Sequence, residues 1–256
     1  MDAILADGWV QQIEWFPSID FTNAAARRRL AHSAGSHPLS LPALWVADRQ
    51  TAGRGRLQRT WWSPEGCLML TLAIGEQSLP RQAQDWNQLA LVSGLAVANA
   101  VASFLEPHEV QLKWPNDVYV GGKKIAGILI ESDARVWLVG IGLNVHLDWS
   151  QAPEEVRRRA TCVTSASGRQ TSRQVVLVEL LQQLHQVISG WAQGKLDWHA
   201  AWHQRCLLTG RVIHAYLREE QQIVGVCEGI DLQGRLIVRH ESGVVHLTAG
   251  EIRAWQ

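Results

Sequence analysis

Three arginines alternate with glycines in the segment QTAGRGRLQRTW, which begins at Gln50. The guanidinium groups of Arg54, Arg56 and Arg59 carry permanent charge and present forked donors that match carboxylate and phosphate oxygens. The glycines between them let the backbone approach a ligand closely. The segment therefore predicts an anion-binding loop. It has neither the Walker A pattern nor GxGxxG, so it indicates no particular nucleotide-binding fold. A solvated basic loop and a nucleic-acid contact are the alternatives.

The segment KWPND brings a lysine to the end of a predicted strand. The residue before a proline favours extended geometry, so we expect Trp114 to continue the strand and Pro115 to end it. Lys113 then lies at the carboxyl end of that strand, where a lysine acts as a point charge for a phosphoryl or carboxylate oxygen. Asn116 and Asp117 are typical of an Asx-type turn that fixes the local backbone.

Glycines also occur inside two strand-like apolar runs, KKIAGILIES and LVGIGLNVH. An interior glycine weakens a strand, so Gly127, Gly140 and Gly142 indicate either a close approach by a ligand or a bulge or tight packing of the sheet. Both interpretations stay open for each glycine. Lys124 either reaches a ligand or caps a hairpin, and Asn144 is either a metal or phosphate contact or a strand-end cap.

The composition limits the classes of function. With 24 basic and 24 acidic residues the formal net charge is zero, so no global field attracts nucleic acid or anionic membranes. The four cysteines are widely spaced and form no CxxC pair, which argues against a zinc site or a redox dithiol. The sequence shows no signal peptide and no stretch near the roughly 20 apolar residues of a membrane span. We expect a soluble, cytoplasmic protein.

Alternating elements position these segments. VQQIEWF, PALWVAD and GCLMLTLAI are predicted strands, and strands dominate residues 110–147, where the paired glycines of YVGGKK suit a hairpin turn. A helix is predicted after the first strand, with Asp20 or Thr22 as its N-cap and Gly35 at its end. This alternation predicts one substantial α/β domain.

Apolar spacing predicts three further helices, over residues 85–104, 172–191 and 195–207. After Gly210 the pattern changes to the short strands RVIHAYL, QQIVGVCEGI, RLIVRH and VVHLTAGEI. They predict a small β module of roughly fifty residues, which is marginal alone and should pack on the larger domain.

Taken in order, IDFTNAAA, QTAGRGRLQRTW, LKWPNDVYVGGKKIAGILIES, VGIGLNV and GVCEGIDLQGRLIV with GEI resemble the successive motifs of biotin–protein ligases. These enzymes biotinylate the carrier protein of acetyl-CoA carboxylase. The resemblance covers residues 9–256 and implies an α+β fold: a mixed sheet packed on helices, like that of class II synthetases, over residues 1–208, and a small SH3-like β-barrel over residues 209–256.

The resemblance implies two reactions at one site. The carboxylate of biotin attacks the α-phosphate of ATP, which releases pyrophosphate and forms biotinoyl-5′-adenylate, and a carrier lysine then attacks the mixed anhydride. Lys113 and Arg56 are the implied catalytic residues. Implied biotin contacts are Thr22, Asn23, Gln50, Gly53, Arg54, Arg56, Lys113 and Gly127. Implied ATP or adenylate contacts are Arg54, Arg56, Arg59, Trp61, Lys113, Lys124, Asn144 and Arg253. Mg²⁺ is implied with ATP, held mainly by phosphates and water, and Asn144 is the one side chain considered as a ligand.

This sequence departs from the family pattern at two of these motifs. Phe21 stands where relatives usually have serine, so one hydroxyl near the biotin pocket is replaced by a ring. Gln58 stands where they usually have glycine, which stiffens the arginine loop. The sequence also shows no helix-turn-helix ahead of the first strand, so we expect a ligase without a DNA-binding role.

Other functions predict different features. A lipoyl or octanoyl transferase would share the fold, but the arginine-glycine loop and the C-terminal β module favour the biotin enzyme. A nucleic-acid module predicts a basic surface that the composition lacks. A catalytically inactive biotin sink would lack the lysine, and Lys113 is present. The expected partners are the biotin carboxyl carrier protein, biotin and ATP, with no DNA or membrane, and the expected assembly is a monomer or homodimer.

Overall fold

The computed structural model describes residues 8–32, 39–79, 86–105, 110–133, 135–218 and 221–256. Its strands are β1 Gln12–Phe16, β2 Ala43–Ala47, β3 Cys67–Gly75, β4 Val110–Lys113, β5 Asp117–Val120, β6 Lys123–Asp133, β7 Val136–Asn144, β8 Val212–Arg218, β9 Gln221–Ile230, β10 Leu236–His240, β11 Gly243–Leu247 and β12 Glu251–Trp255. Its α-helices are α1 Thr22–His32, α2 Trp86–Ala102, α3 Glu154–Arg159, α4 Val163–Ser167, α5 Arg173–Ala192 and α6 Trp198–His203.

The larger unit is built on a seven-stranded sheet in the order β1-β2-β3-β7-β6-β5-β4. β1 and β2 are parallel and the other neighbours are antiparallel, so the sheet is mixed. β2 and β3 are buried along their whole length because both faces of the sheet are covered. Alternate residues serve each side: Ala43 and Trp45 pack with α1, whereas Leu44 and Val46 join the main core with α2 and α5.

The helices follow from local sequence. α2 is apolar around most of its surface, which suits its position between the sheet and α5. α5 begins where the Ser172 hydroxyl accepts a hydrogen bond from the Val175 backbone N–H at 3.3 Å. Thr22, one of the two predicted N-caps, is instead the first residue of α1, and its hydroxyl bonds to Gln50 rather than to a backbone N–H of the helix. The other, Asp20, accepts from the Phe21 backbone N–H and pairs with Arg28, which lowers the pKa of Asp20 to about 2.

A five-stranded antiparallel sheet in the order β11-β10-β9-β8-β12 forms the smaller unit. Side chains of the larger unit bond to its backbone. Asn87 and Gln88 at the start of α2 donate to the carbonyls of Thr248 and Leu232 at 2.8 and 2.7 Å, and the Trp114 indole donates to the Gly234 carbonyl at 3.0 Å. These bonds attach the small sheet to the large unit near β4, the edge strand of the large sheet.

The predicted fold class is confirmed, since a mixed sheet packed on helices is followed by a small antiparallel β domain. The hairpin turn is also confirmed, with Gly121 and Gly122 at φ of 57° and 74°. The boundary between residues 208 and 209 stays a prediction. Gly35, predicted to end α1, lies outside the described residues. No helix in the described part of the chain has the length and hydropathy of a membrane span.

Three details of the predicted elements are wrong. Trp114 lies in the turn after β4 and does not continue the strand. The segment VVHLTAGEI divides into β11 and the start of β12, separated by a bend at Thr248 and Ala249 and by Gly250, whose φ of 152° favours glycine. The helices α3 and α4 were not predicted because each has only one or two turns, too few for a periodic pattern to show.

Candidate active site

A cavity of about 980 Å³ opens between the large sheet and the last strand of the small one. Its walls come from the arginine loop, the turn between β4 and β5, the centres of β6 and β7, helix α3 and strand β12. The predicted site residues that line it are Thr22, Gln50, Arg54, Arg56, Arg59, Trp61, Lys113, Lys124, Gly127, Asn144 and Arg253. Asn23 and Gly53 are buried behind these residues and do not line the cavity.

One end of the cavity is a buried hydrogen-bond network built mainly from neutral side chains, which we call the polar end. The Gln50 side-chain carbonyl accepts from the backbone N–H of Thr22 at 2.9 Å and from its hydroxyl at 3.1 Å. The Thr71 hydroxyl lies 2.8 Å from that of Thr22 and 2.5 Å from Asn23 Oδ1. Asn23 in turn donates to Glu131 at 2.7 Å. Each of these side chains is fixed by others, so the polar end is rigid before any ligand arrives.

Two glycines form the floor beside the polar end. Gly127 of β6 and Gly142 of β7 are direct partners in the sheet, and the Trp61 ring lies over them. A Cβ at Gly142 would lie 2.6 Å from Cε2 of Trp61, and one at Gly127 would lie 3.3 Å from Cζ3. Gly140 similarly makes room for Asn23. Tight packing against the protein's own side chains therefore accounts for these glycines, and at Gly127 and Gly142 the packed side chain is itself part of the cavity wall.

The arginine loop is a short hairpin. The Gly55 N–H donates to the Arg59 carbonyl at 2.7 Å, and the Trp61 N–H donates to the Gly53 carbonyl at 2.9 Å. A methyl group on Gly53 would lie 2.9 Å from the Trp61 carbonyl oxygen, so this position must stay small. Leu57 and Gln58 at the tip have φ of 55° and 59°, in the left-handed region that disfavours side chains.

Strand β12 and the residue before it, Gly250, supply partners for the loop arginines. Arg56 donates to the Gly250 carbonyl at 3.4 Å, and Arg59 pairs with Glu251 at 2.5 Å. Glu251 also accepts from Arg253 at 3.0 Å, and Arg253 lies 4.3 Å above the Tyr216 ring. Burial lowers the pKa of Arg56, opposed by the charge of Asp117 and then Glu251. The loop is thus joined to the small domain across the mouth of the cavity.

Lys113, the last residue of β4, is 8 % exposed. Its ammonium donates to the Ile252 carbonyl at 2.9 Å and lies 4.7 Å from the Trp255 ring centroid and 5.8 Å from that of Tyr119. Burial lowers the pKa of Lys113, and the charge of Asp117 is the largest opposing effect. Lys113 ends its strand, as predicted, and lines the cavity, whereas its contact with a ligand stays a prediction.

The neighbours of Lys113 have partners of their own. Asn116 donates across the sheet to the Ile128 carbonyl at 2.7 Å, so its side chain stabilises strand pairing rather than only a local turn. Asp117 pairs with Lys124 at 2.5 Å, and Lys124 lies 5.2 Å from the Trp61 ring centroid. Lys124 therefore faces the cavity from a position fixed by Asp117.

Asn144 was considered as a metal ligand. Its amide nitrogen donates to the Thr161 carbonyl at 2.9 Å, and its oxygen accepts from the Cys67 thiol at 3.6 Å. Among the described residues no three His, Cys, Asp or Glu side chains are grouped as a metal site. The described side chains therefore form no metal cage, and the bonds of Asn144 connect β7 with the segment after α3.

Sequence reasoning missed several wall residues. The backbone carbonyls that hold Arg56 and Lys113 belong to residues whose side chains carry no relevant signal. Helix α3 also contributes to the cavity wall, and its RRR run gives only a weak hint of anion binding. The missed residues include Tyr119, Glu155, Val156, Arg158, Arg159, Gly250, Glu251, Ile252 and Trp255.

Comparisons with known proteins agree over nearly the whole chain. Residues 15–148 match the Biotin/lipoate A/B protein ligase family, and residues 210–253 match the Biotin protein ligase C terminal domain. A biotin–[acetyl-CoA-carboxylase] ligase of Mycobacterium tuberculosis is 34 % identical over 96 % of this chain and 89 % of its own. One from Paracoccus denitrificans is 34 % identical over 91 % and 96 %.

Solved structures give the same result. The biotin protein ligase from Aquifex aeolicus in complex with biotin and ATP superposes with a TM-score of 0.81 at 30 % identity, covering 96 % of this chain and 99 % of that one. Both units of the fold are thus shared with these relatives. The chain belongs to the biotin protein ligase family.

Proposed function

We propose that this protein activates biotin with ATP to biotinoyl-5′-AMP and transfers the biotinyl group to a lysine of the biotin carboxyl carrier protein of acetyl-CoA carboxylase. One observation carries the proposal: a single cavity joins a rigid polar end to a group of cations. Biotin has the same two-ended character, with a cyclic urea at one end and a carboxylate on a flexible chain at the other.

The polar end suits the ring of biotin. Gln50 and Thr22 present amide and hydroxyl groups that are already held in place by hydrogen bonds, so they pay little entropy on binding a urea group. The Trp61 indole and the glycine floor offer apolar surface beside them. Asn23 and Gly53 support this wall from behind, Asn23 through Thr71 and Gly53 by its lack of a side chain.

In the first step the biotin carboxylate attacks the α-phosphorus, a P–O bond forms, and pyrophosphate leaves with the electrons of the bond it loses. Negative charge concentrates on the α-phosphate oxygens and on the leaving group. In this proposal the buried Lys113 and the partly buried Arg56 stabilise that charge, and such electrostatic stabilisation carries most of the acceleration in phosphoryl transfer. Arg54, Arg59, Lys124 and Arg253 extend the cationic surface for the nucleotide.

In the second step the amine of the carrier lysine attacks the acyl carbon, an amide forms, and AMP leaves. The mixed anhydride reacts with any amine or with water, so the site must exclude solvent until the carrier arrives. The arginine loop and β12 face each other across the mouth of the cavity and together serve this purpose.

Magnesium enters this scheme as part of the substrate MgATP. Side-chain carboxylates facing the cavity, such as Asp117 and Glu251, already pair with cations. Phosphate oxygens and water are therefore the ligands that this chain leaves to the ion, which is the usual arrangement for Mg²⁺.

The test is a transfer assay. The protein is incubated with biotin, MgATP and a biotin-carrier domain, and intact-protein mass spectrometry is used to detect one added biotinyl group on the carrier. Parallel reactions replace biotin by lipoate or octanoate, which tests the alternative of a lipoyl or octanoyl transferase. Transfer of lipoate or octanoate without transfer of biotin would reject the proposal.

The remaining parts of the proposal concern organisation. We propose a catalytic unit of residues 1–208 with residues 209–256 as the small domain, acting in the cytoplasm as a monomer or homodimer. A formal net charge of zero supports the expectation that the described units bind no DNA. Light scattering and a gel-shift assay at physiological salt test these two points.

A further inference from the structure

We infer that Trp255 of strand β12 is a positioning residue for Lys113. The face of its indole ring holds the Lys113 ammonium in place and leaves the positive charge available for the ligand. The inference rests on the proposed function, because it assigns Lys113 the task of stabilising charge on the reacting phosphate. It adds a part played by the small domain in the chemical step.

The first observation is how Lys113 is held. Its ammonium has one hydrogen-bond acceptor among the described residues, the Ile252 carbonyl at 2.9 Å. The Trp255 ring centroid is 4.7 Å away and that of Tyr119 is 5.8 Å away. The two rings meet edge to face at 6.0 Å, with planes 87° apart. They form two sides of a corner around the nitrogen.

The second observation is that nearby carboxylates are directed elsewhere. Asp117 is the cross-strand partner of Lys113 in the sheet, but its carboxylate pairs with Lys124 at 2.5 Å. Glu251, adjacent to Ile252, pairs with Arg59 and Arg253. Lys113 therefore contacts a neutral carbonyl and neutral rings, whereas the surrounding acids are matched to other cations.

This difference bears on catalysis. A carboxylate in contact with Lys113 would neutralise the charge that a reacting phosphate needs, and it would have to be displaced. A π face attracts an ammonium within about 6 Å without carrying a net charge. The ring thus fixes the nitrogen and excludes water from one side, so the cation is oriented in advance of the reaction.

The competing explanation is that Trp255 only fills space between the two units. It is half-buried, and it pairs with Ile213 through the β12–β8 ladder. In that case its loss would lower stability and affect every ligand-dependent property to a similar degree. A positioning role predicts a specific loss in the rate of the chemical step, acting through Lys113.

The main test compares Trp255→Ala and Trp255→Phe in biotin-dependent ATP–pyrophosphate exchange. We expect kcat of Trp255→Ala to fall about tenfold, the scale of one desolvated cation–π contact, while KM for biotin stays within about twofold because the polar end is intact. Trp255→Phe, which retains a π face, should recover most of kcat. Trp149→Ala is the matched control, since the Trp149 indole donates to Ser165.

A double-mutant cycle tests whether Trp255 acts through Lys113. In a Lys113→Ala background, the further change Trp255→Ala should have almost no effect on the residual exchange rate. An independent tenfold loss in that background would overturn the inference, and so would equal losses in Trp255→Ala and Trp255→Phe.

A measurement without substrates separates this inference from the proposed function. The chain has four lysines, so labelling of Lys113 by an amine-reactive reagent can be read by peptide mass spectrometry against exposed Lys195. Trp255→Ala should increase the ratio of Lys113 to Lys195 labelling several-fold, and Trp255→Phe should not. An unchanged ratio would overturn the inference. If the parent protein shows no biotin-dependent exchange, the proposed function fails while this measurement still tests the contact.

Discussion

The two ends of the cavity are held in opposite ways. At the polar end, Thr22, Gln50 and Thr71 are buried, neutral and bonded to one another. At the cationic end, Arg56 and Lys113 are held by backbone carbonyls of a different structural unit, at 3.4 and 2.9 Å. The polar end belongs to the core of the large sheet, whereas the cationic end exists only where two units meet.

This difference indicates that the two ends of the cavity have different roles. Buried neutral groups that satisfy each other contribute to stability and fix the shape of a pocket. Cations held by neutral acceptors are not neutralised by their partners, so their positive charge can stabilise a bound anion. Substitutions at the polar end should therefore change stability and binding, and substitutions at the cationic end should change rates.

Lys113→Ala should give the largest effect. Loss of the ammonium should lower biotin-dependent ATP–pyrophosphate exchange about 10²- to 10³-fold, as for other single electrostatic donors, which is far more than it should weaken biotin binding. Stopped-flow fluorescence or calorimetry measures the affinity, and Lys195→Ala is the control on an exposed site. A normal exchange rate would make Lys113 structural and remove the contrast between the two ends.

Gly142→Ala tests the floor. The new methyl would lie 2.6 Å from the Trp61 ring, so the indole must move, at a cost of about 3 kcal/mol in the free energy of unfolding and a loss of biotin affinity. Gly94→Ala is a matched control, because its Cβ would lie 3.6 Å from Leu112 in ordinary contact. Urea unfolding of both variants should show a large loss for Gly142→Ala and none for Gly94→Ala. Equal results would show that the floor has space to spare.

Gln50→Leu removes the central acceptor of the polar end. The Thr22 N–H and hydroxyl would lose their partner in a buried site, so we expect the free energy of unfolding to fall by about 2 kcal/mol and biotin binding to weaken. Gln182→Leu on the exposed face of α5 should stay within about 0.5 kcal/mol. If Gln50→Leu instead lowered kcat alone, the assignment of stability to this end would be wrong.

Arg56→Gly should give the smallest change in stability. It removes the bond to the Gly250 carbonyl and makes the loop backbone freer, so the open state of the loop should be more populated. A loss of ~1.4 kcal/mol in the free energy that favours the closed state would raise the ratio of open to closed loops about tenfold. The variant should still form adenylate but release it, which labels serum albumin in a streptavidin blot with biotin and MgATP. Arg169→Gly, on an exposed loop, is the control. A variant that forms no adenylate and labels no albumin would show that the first step cannot proceed with Lys113 alone and that Arg56 is essential for it.

Much of the large sheet could be predicted because its strands and long helices carry periodic patterns. Lys113 is the clearest case, since the proline two residues later limits where β4 can extend. The arginine loop was recognised from residue type alone. These predictions rest on residue types and on the local backbone preferences of those residues, both of which can be read from the sequence.

The other half of the site could not be predicted for a physical reason. Every residue has a backbone carbonyl, so nothing in the letters GEI indicates that the carbonyls of Gly250 and Ile252 bond to cations. The distance in sequence between Lys113 and Trp255 also hides their contact. The interior glycines were ambiguous for a similar reason, because Trp61 lies 81 positions before Gly142 and their contact is visible only in the folded chain.

The bonds from Gly250 to Arg56 and from β12 to Lys113 also make the small domain a thermodynamic partner of the ligand. If detaching that domain changes the affinity of the cavity by some factor, occupancy of the cavity changes the detachment equilibrium by the same factor. The five-stranded sheet is therefore a reporter of cavity occupancy, and amide hydrogen exchange in β12 reads the coupling without observing the ligand.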